Sequence, residues 1–327
     1  MEREDLFTVI EYAEQAPSVH NTQPWLFSAS HGVISIRADR KRELEVLDPQ
    51  GRELAISCGA AVEFVYLAVR GLGWECDVQL RPVKNDKDLL ATLRIGLQRP
   101  ATAEELALVE AIPRRYTDRG SYDVSVVADD LVSVLEHGVS ARGAWLRMLD
   151  HDGDRLAVIQ ALAEAESTAS ADPAYRTELA NWVRATAATD GVPLAALGDA
   201  SPSTNVTDVP LRDFTGADRH PQPGGVGAPP QVNRDTLLMI GTEGDDDVSW
   251  LQAGRAMGWL LLRLTVQGLS SQPLGQALDI EVSRQRLTHR LGLLGHIQFL
   301  LRTGQGHGQP TTGRLHAGVS IDAVSLD

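Results

Sequence analysis

Pro17-Ser18-Val19-His20-Asn21-Thr22-Gln23-Pro24-Trp25 breaks the first helix of the chain and opens its first pair of strands. Upstream, Leu6, Val9, Ile10 and Ala13 recur at three- and four-residue spacing, one apolar face of a helix over residues 4–15 that cannot continue through Pro17. Downstream, WLFSAS and VISIRA alternate like half-buried strands around a turn at His31-Gly32. The bracketed side chains are hydroxyl, imidazole and amide groups. Such a turn either presents them to a ligand rich in oxygens and ring nitrogens or closes a helix–strand corner.

Working outward, LDPQGRELAISCGAAVEFVYLAVRGLG reads as a turn and a long, mostly buried helix stopped at Gly71 and Gly73, followed by strands in WECDVQLRPV and LLATLRIGL. Thr102 caps a short helix in AEELALVEAI, and DDLVSVLEHGV is a further amphipathic helix. Asp172 and Pro173 open a helical pattern that reaches residue 188. Residues 190–235 then dissolve into Pro, Gly, Ser and Asp, with no apolar periodicity that would suit a core role. Order returns with the strand TLLMIG, a helix over 246–267, a helix near 282–291, the strand HIQFLLRTG and a polar tail.

Two halves align. DLFTVIE at residues 5–11 matches DLVSVLE at 130–136 in four of seven positions, and Trp25-Leu26 then falls on Trp145-Leu146. The second copy has 8 residues before its Trp where the first has 13, so it lacks much of the 17–25 turn. A weaker alignment superposes Gly59 on Gly254, Ala61 on Ala256, Leu67 on Leu262 and Gly73 on Gly268. Either the halves are homologous and meet along their long central helices, or Ala/Leu-rich helices coincide by chance.

The chain has 327 residues, 43% hydrophobic and 23% charged, and a formal net charge of -14. These values suit a soluble globular protein whose field repels nucleic acid and anionic lipid surfaces. Any anion must then bind in a local pocket. Cys58 and Cys76 are read as packing residues, and the acidic N-terminus and the want of an apolar run near 18 residues point to the cytoplasm.

Against that acidic background, Arg114-Arg115-Tyr116-Thr117-Asp118-Arg119 is a local excess of guanidinium. It suits a phosphate grip, or else a solvated run paired with Asp118 and Asp123. In Gln272-Pro273-Leu274-Gly275-Gln276, proline keeps the chain from helix and Gly275 lets a backbone N–H approach a flat ligand. Arg314 sits in the tail TTGRLHAG. No nucleophile elbow, phosphate loop or metal-ligand pattern stands out, so no catalytic side chain and no metal ligand is assigned.

The set PSVHNTQPW, RRYTDR, QGLSSQPLG and TTGRL resembles the nitroreductase superfamily of FMN proteins, and within it the Acg family of fused pseudo-dimers. The resemblance implies an α+β fold duplicated in one chain, central sheets flanked by helices and related by a pseudo-two-fold axis. The halves would be residues 1–100 and 101–327, with 190–235 as a lid over the flavin. It implies that Arg115 and Thr117 contact the phosphate and ribityl chain and Arg119 the pyrimidine edge. Gly275 would donate toward flavin N5, with Pro273 and Leu274 bordering the ring and Gln252 meeting it. Arg314 would be a second phosphate ligand, although the neighbouring basic residue of the family is absent. Pro17, Ser18, His20, Asn21 and Gln23 would complete the site from the other half.

The function so implied is an oxidoreductase of nitroreductase type. Electrons would pass from NAD(P)H through FMN to a quinone- or nitro-like acceptor. The alternative is a protein that sequesters FMN beneath its lid with little turnover. The degenerate second turn implies one FMN per chain, held by a monomer.

Overall fold

The computed structural model describes residues 1–123, 127–197, 205–214, 231–308, 312–315 and 321–324. Helix α1 (Arg3–Glu14) leads through the 17–25 turn into β1 (Trp25–Ser30) and β2 (Val33–Ala38), then α2 (Arg52–Gly71), β3 (Trp74–Leu80) and β4 (Leu89–Gln98). Next come α3 (Ala103–Ala111), β5 (Tyr122–Asp123), α4 (Asp129–Ser140), β6 (Trp145–Met148), α5 (Asp152–Ala171) and α6 (Pro173–Ala180). Short strands β7 (Val183–Arg184), β8 (Val192–Pro193), β9 (Asn205–Thr207) and β10 (Gln231–Asn233) precede β11 (Thr236–Thr242) and α7 (Asp247–Val266). The chain closes with β12 (Ser270–Pro273), α8 (Gln276–Asp279), α9 (Glu281–Arg290), β13 (His296–Gly306) and β14 (Ile321–Val324).

The architecture is α+β. One sheet runs β14-β1-β2-β4-β3, antiparallel except where β14 joins β1 in parallel, Phe27 opposite Ile321. The polar tail thus supplies an edge strand to the N-terminal sheet. The other sheet runs β12-β13-β11-β6, all antiparallel, with β5 pairing at the end of β13.

Side-chain alternation decides the layers. Leu238, Ile240, Phe299 and Leu301 face the main core, while Leu237, Met239, Ile297 and Leu300 face a second core beneath α5, α8 and α9. The first sheet buries Phe27, Ile34, Ile36, Ala91 and Leu93 in the main core. That core is built around α2 and α7, which pack on each other, with α1 against α2 and α4 against α7. α2 is long and apolar enough to cross a membrane by length and composition, which the sequence reading overlooked, but 89% of the relevant window is buried inside the protein.

The two central helices touch backbone to backbone. A Cβ on Gly59 would lie 2.4 Å from the Leu251 carbonyl oxygen, one on Gly254 2.0 Å from that of Ile56, and either would be 2.9 Å from the other glycine's Cα. These are the glycines that the internal alignment superposes. Gly73 and Gly268, also superposed, follow α2 and α7 with φ of 81° and 72°, the left-handed conformation that ends a helix. Beside this crossing Glu63 is fully buried on α2 and accepts from Arg142 and Arg255. Burial raises its carboxyl, but the two guanidiniums outweigh that and hold it below the usual carboxylate range.

Three expectations change. α5 was not anticipated, and the helix expected over 172–188 stops at Ala180, with Asp172 capping it by accepting from the Ala174 N–H. Within 190–235, the described residues 190–197, 205–214 and 231–235 carry paired short strands, and residues 198–204 and 215–230 lie outside the described residues. Val192 and Val209 are buried there, so the segment does contribute to packing. Isolated apolar anchors need no periodicity to plug a core.

Candidate functional site

The 17–25 turn is a strained, pinned corner. His20, Asn21 and Gln23 adopt φ of 46°, 57° and 51°, the left-handed region that non-glycine residues seldom occupy. It is held by the Gln23 N–H donating to Ser18 Oγ at 2.9 Å and the Val19 N–H donating to Ser57 Oγ on α2 at 3.1 Å. Pro17 and Ser18 are half-buried, whereas His20, Asn21, Thr22 and Gln23 are four consecutive buried polar residues.

Two of those four are spent on backbone carbonyls from distant segments. Asn21 Nδ2 donates to Gly191 at 3.1 Å and Gly313 at 3.2 Å, and Gln23 Nε2 donates to Thr189 at 2.9 Å. Gln23 Oε1 in turn accepts the Leu315 N–H at 2.9 Å. The amides therefore dock both the 189–191 stretch and the tail that carries Arg314. His20 Nε2 and Thr22 Oγ1 have no hydrogen-bond partner among the described residues. Burial, then the charges of Arg212 and Arg119, hold the His20 imidazole well below its ordinary pKa, so it is neutral.

Arg115 and Arg314 converge on one oxygen, the carbonyl of Gln15 at the C-terminal end of α1, with donor distances of 3.5 and 3.4 Å. The helix terminus offers them partial negative charge. Arg115 Nε and Nη1 and Arg314 Nε remain without partners, and neither residue has a carboxylate partner among the described residues. Burial and the neighbouring Arg314 push the Arg115 guanidinium down to about 9; burial brings Arg314 down to about 10. Two neighbouring cations, one buried and one half-buried, that lack a carboxylate among the described residues are costly unless an anion joins them. The donor set suits a phosphate-sized group.

Thr117 bridges to Ser271, and the Asp118 N–H donates to the Ser271 carbonyl at 3.1 Å, which lays residues 115–119 alongside β12. Pro273 ends that strand half-buried, Leu274 is fully buried with its N–H on the Leu300 carbonyl, and Gly275 precedes α8. Arg119 is half-buried, its guanidinium pushed down to about 10 chiefly by desolvation, and donates to the Ala196 carbonyl at 3.2 Å. Its guanidinium stands 5.4 Å from the centroid of the Phe214 ring, which also meets the His20 imidazole. Arg212 pairs with Asp279 and Tyr175, and its Nη2 would be 3.4 Å from a Cβ on Gly275.

The structure thus gathers Pro17, Ser18, His20, Asn21, Gln23, Arg115, Arg119 and Arg314, and runs Thr117 and Pro273-Leu274-Gly275 past them. Gln252 stands apart: its amide packs at Gly143 in the turn before β6, with no described contact to the cluster. Ser57, five residues into α2, holds the 17–25 turn in the way that Gln252, five residues into α7, abuts the shorter second turn. Sequence reasoning did not single out Thr22, Arg212 or Phe214. The signal for the last two was LRDF at 211–214, an apolar and charged cluster inside a Pro- and Gly-rich segment.

No protein-family model matches the chain. Its sequence is 33% identical over 302 residues to "Putative NAD(P)H nitroreductase Rv3131" of Mycobacterium tuberculosis, spanning 92% of this chain and 85% of that protein. It is 28% identical over 300 residues to "Putative NAD(P)H nitroreductase acg" of the same species, spanning 91% and 88%. A solved structure described as a putative nitroreductase from Anabaena variabilis gives a TM-score of 0.49 at 9% identity, covering 93% of this chain and 88% of that one.

Proposed function

The chain belongs to the nitroreductase-like family, and on that premise we propose that it is an FMN-dependent oxidoreductase that takes electrons from NAD(P)H and delivers them to a quinone- or nitro-like acceptor. The observation that carries the proposal is the pair of guanidiniums on the Gln15 carbonyl: Arg115 is buried with Nε and Nη1 unpartnered among the described residues, and the half-buried Arg314, which also donates to Thr312 and Gly313, keeps an unpartnered Nε. Together they supply two positive charges and unused N–H donors where a phosphomonoester would be neutralised. The cofactor, when bound, supplies the hydride and electron transfer.

The residues of the chain bind, orient and enclose. Arg115 and Arg314 take the phosphate, and the Asn21 and Gln23 amides hold the tail that brings Arg314 to it. Arg119, half-buried and cationic, favours negative charge on the flavin pyrimidine edge. Thr117, Pro273, Leu274 and Gly275 form the wall beside it. No side chain is assigned as acid or base. Duplication belongs to the same reading: the superposed glycines 59 and 254 meet at the helix crossing, and Trp25 and Trp145 each begin a strand. A single chain then serves as both subunits, a monomer in the cytoplasm.

A second reading, sequestration of FMN with little turnover, is favoured by residues 189–196, where the Thr189, Gly191 and Ala196 carbonyls accept from Gln23, Asn21 and Arg119. Anaerobic addition of NADPH or NADH separates the two. Bleaching within seconds, with colour restored by a quinone, is the result expected of the oxidoreductase. Bleaching by dithionite alone would establish sequestration instead.

A further inference from the structure

Asn21 and Gln23 each fasten two distant segments at once. Asn21 Nδ2 donates to the carbonyls of Gly191 and Gly313, while Gln23 donates from Nε2 to the Thr189 carbonyl and accepts the Leu315 N–H at Oε1. The tail bonds fall on residues 313 and 315 and so bracket Arg314; the others fall on either side of Asp190. The two segments also touch backbone to backbone. A Cβ on Gly313 would lie 2.4 Å from the Ala188 carbonyl oxygen and 3.2 Å from the Thr189 Cα. Turn, tail and 188–191 stretch therefore meet in one seam.

The Gln23 amide is buried, and both of its ends are spent. Its oxygen has to face the Leu315 N–H and its nitrogen the Thr189 carbonyl, because rotation by half a turn would set oxygen against oxygen and N–H against N–H. Each segment thus selects the amide orientation that the other needs. A buried amide left without a partner costs about 1–3 kcal/mol, so whatever holds one segment on the turn favours the docking of the second.

Arg314 is the tail's share of the phosphate grip. We propose that Asn21 and Gln23 are positioning residues that couple this grip to the 188–191 stretch: a phosphate-sized anion on Arg115 and Arg314 holds residues 313–315 on the turn and, through the shared amides, residues 189–191 as well. The coupling is reciprocal, so the docked stretch strengthens the hold on the anion by the same factor. This rests on the phosphate grip of the reading above and not on the flavin ring.

The test adds inorganic phosphate to flavin-free protein at constant ionic strength, with chloride as control. It reads amide hydrogen exchange at Gly191 and Val192, and phosphate affinity from the rise in unfolding temperature. Phosphate is expected to slow exchange at both amides about fivefold, the lower end of ordinary coupling, and FMN to slow it about fivefold more than riboflavin does. The double variant Asn21→Gly/Gln23→Gly removes both amides without backbone strain, since glycine takes their φ of 57° and 51° freely. It should bind phosphate about fivefold more weakly, and bound phosphate should no longer slow exchange at 191 and 192. Phosphate that binds the parent protein without slowing exchange there, or FMN and riboflavin acting equally, would overturn the coupling; both comparisons stand whether or not the variant folds. A variant that keeps the full effect would overturn it too, by assigning the coupling to the Gly313–Ala188 contact. A parent protein that binds no phosphate would overturn the phosphate grip, and the coupling with it.

Discussion

Replacing Arg115 or Arg314 with Met is expected to weaken FMN binding by roughly 1.5–3 kcal/mol each, the scale of a charged hydrogen bond, or about 10- to 150-fold in Kd. Riboflavin, which lacks the phosphate, should lose far less. The same substitutions should leave the flavin-free protein as stable as before or more so. Each removes a cation, buried for Arg115 and half-buried for Arg314, that has no carboxylate partner among the described residues and faces a second cation across the Gln15 carbonyl. Fluorescence titration with the two flavins and thermal unfolding of the flavin-free variants check both halves of the statement. Equal loss for FMN and riboflavin, together with a lower unfolding temperature, would assign these arginines to the scaffold.

Gly254→Ala should cost about 3 kcal/mol or more in unfolding free energy, at the upper end for overpacking. The added carbon would stand 2.0 Å from the Ile56 carbonyl oxygen, and that oxygen belongs to a helix backbone that cannot rotate away. α2 and α7 would have to separate, opening the main core along its centre. Gly153→Ala is the matched control, because nothing lies within 4 Å of its Cβ position in the first turn of α5. It should gain up to about 1 kcal/mol through lower unfolded-state entropy and better helix propensity. Denaturant unfolding of the two variants measures the difference. A Gly254→Ala protein as stable as the parent would mean that the helices do not cross at these glycines.

What the sequence made legible follows from period and punctuation. Pro17 and the alternation from Trp25 to Ala38 placed the first helix and first hairpin near their bounds, and the last long helix, read over 246–267, runs from Asp247 to Val266. α5 escaped because its buried stripe, Ala157, Val158, Ala161, Leu162 and Ala165, is mostly alanine, which fits a helix face without marking it as apolar. β14 escaped because four residues carry little periodicity, and their pairing with β1 spans almost the whole chain. At the site, residue types were legible but their neighbours were not. Asn21 and Gln23 read as donors for a ligand, and the structure shows them engaged with the carbonyls of Thr189, Gly191 and Gly313. Arg314 in isolation is an ordinary tail arginine; only the fold shows it sharing the Gln15 carbonyl with Arg115.

The central claim is that one chain builds one complete phosphate-gripping flavin site from unequal halves. Flavin released by denaturing protein saturated with FMN, quantified against chain concentration, tests it most directly. One FMN per chain, from protein that is monomeric in solution, is the expected result. Two per chain would mean that the shortened turn before Trp145 also makes a site, and a protein that cannot be loaded with FMN would contradict the account.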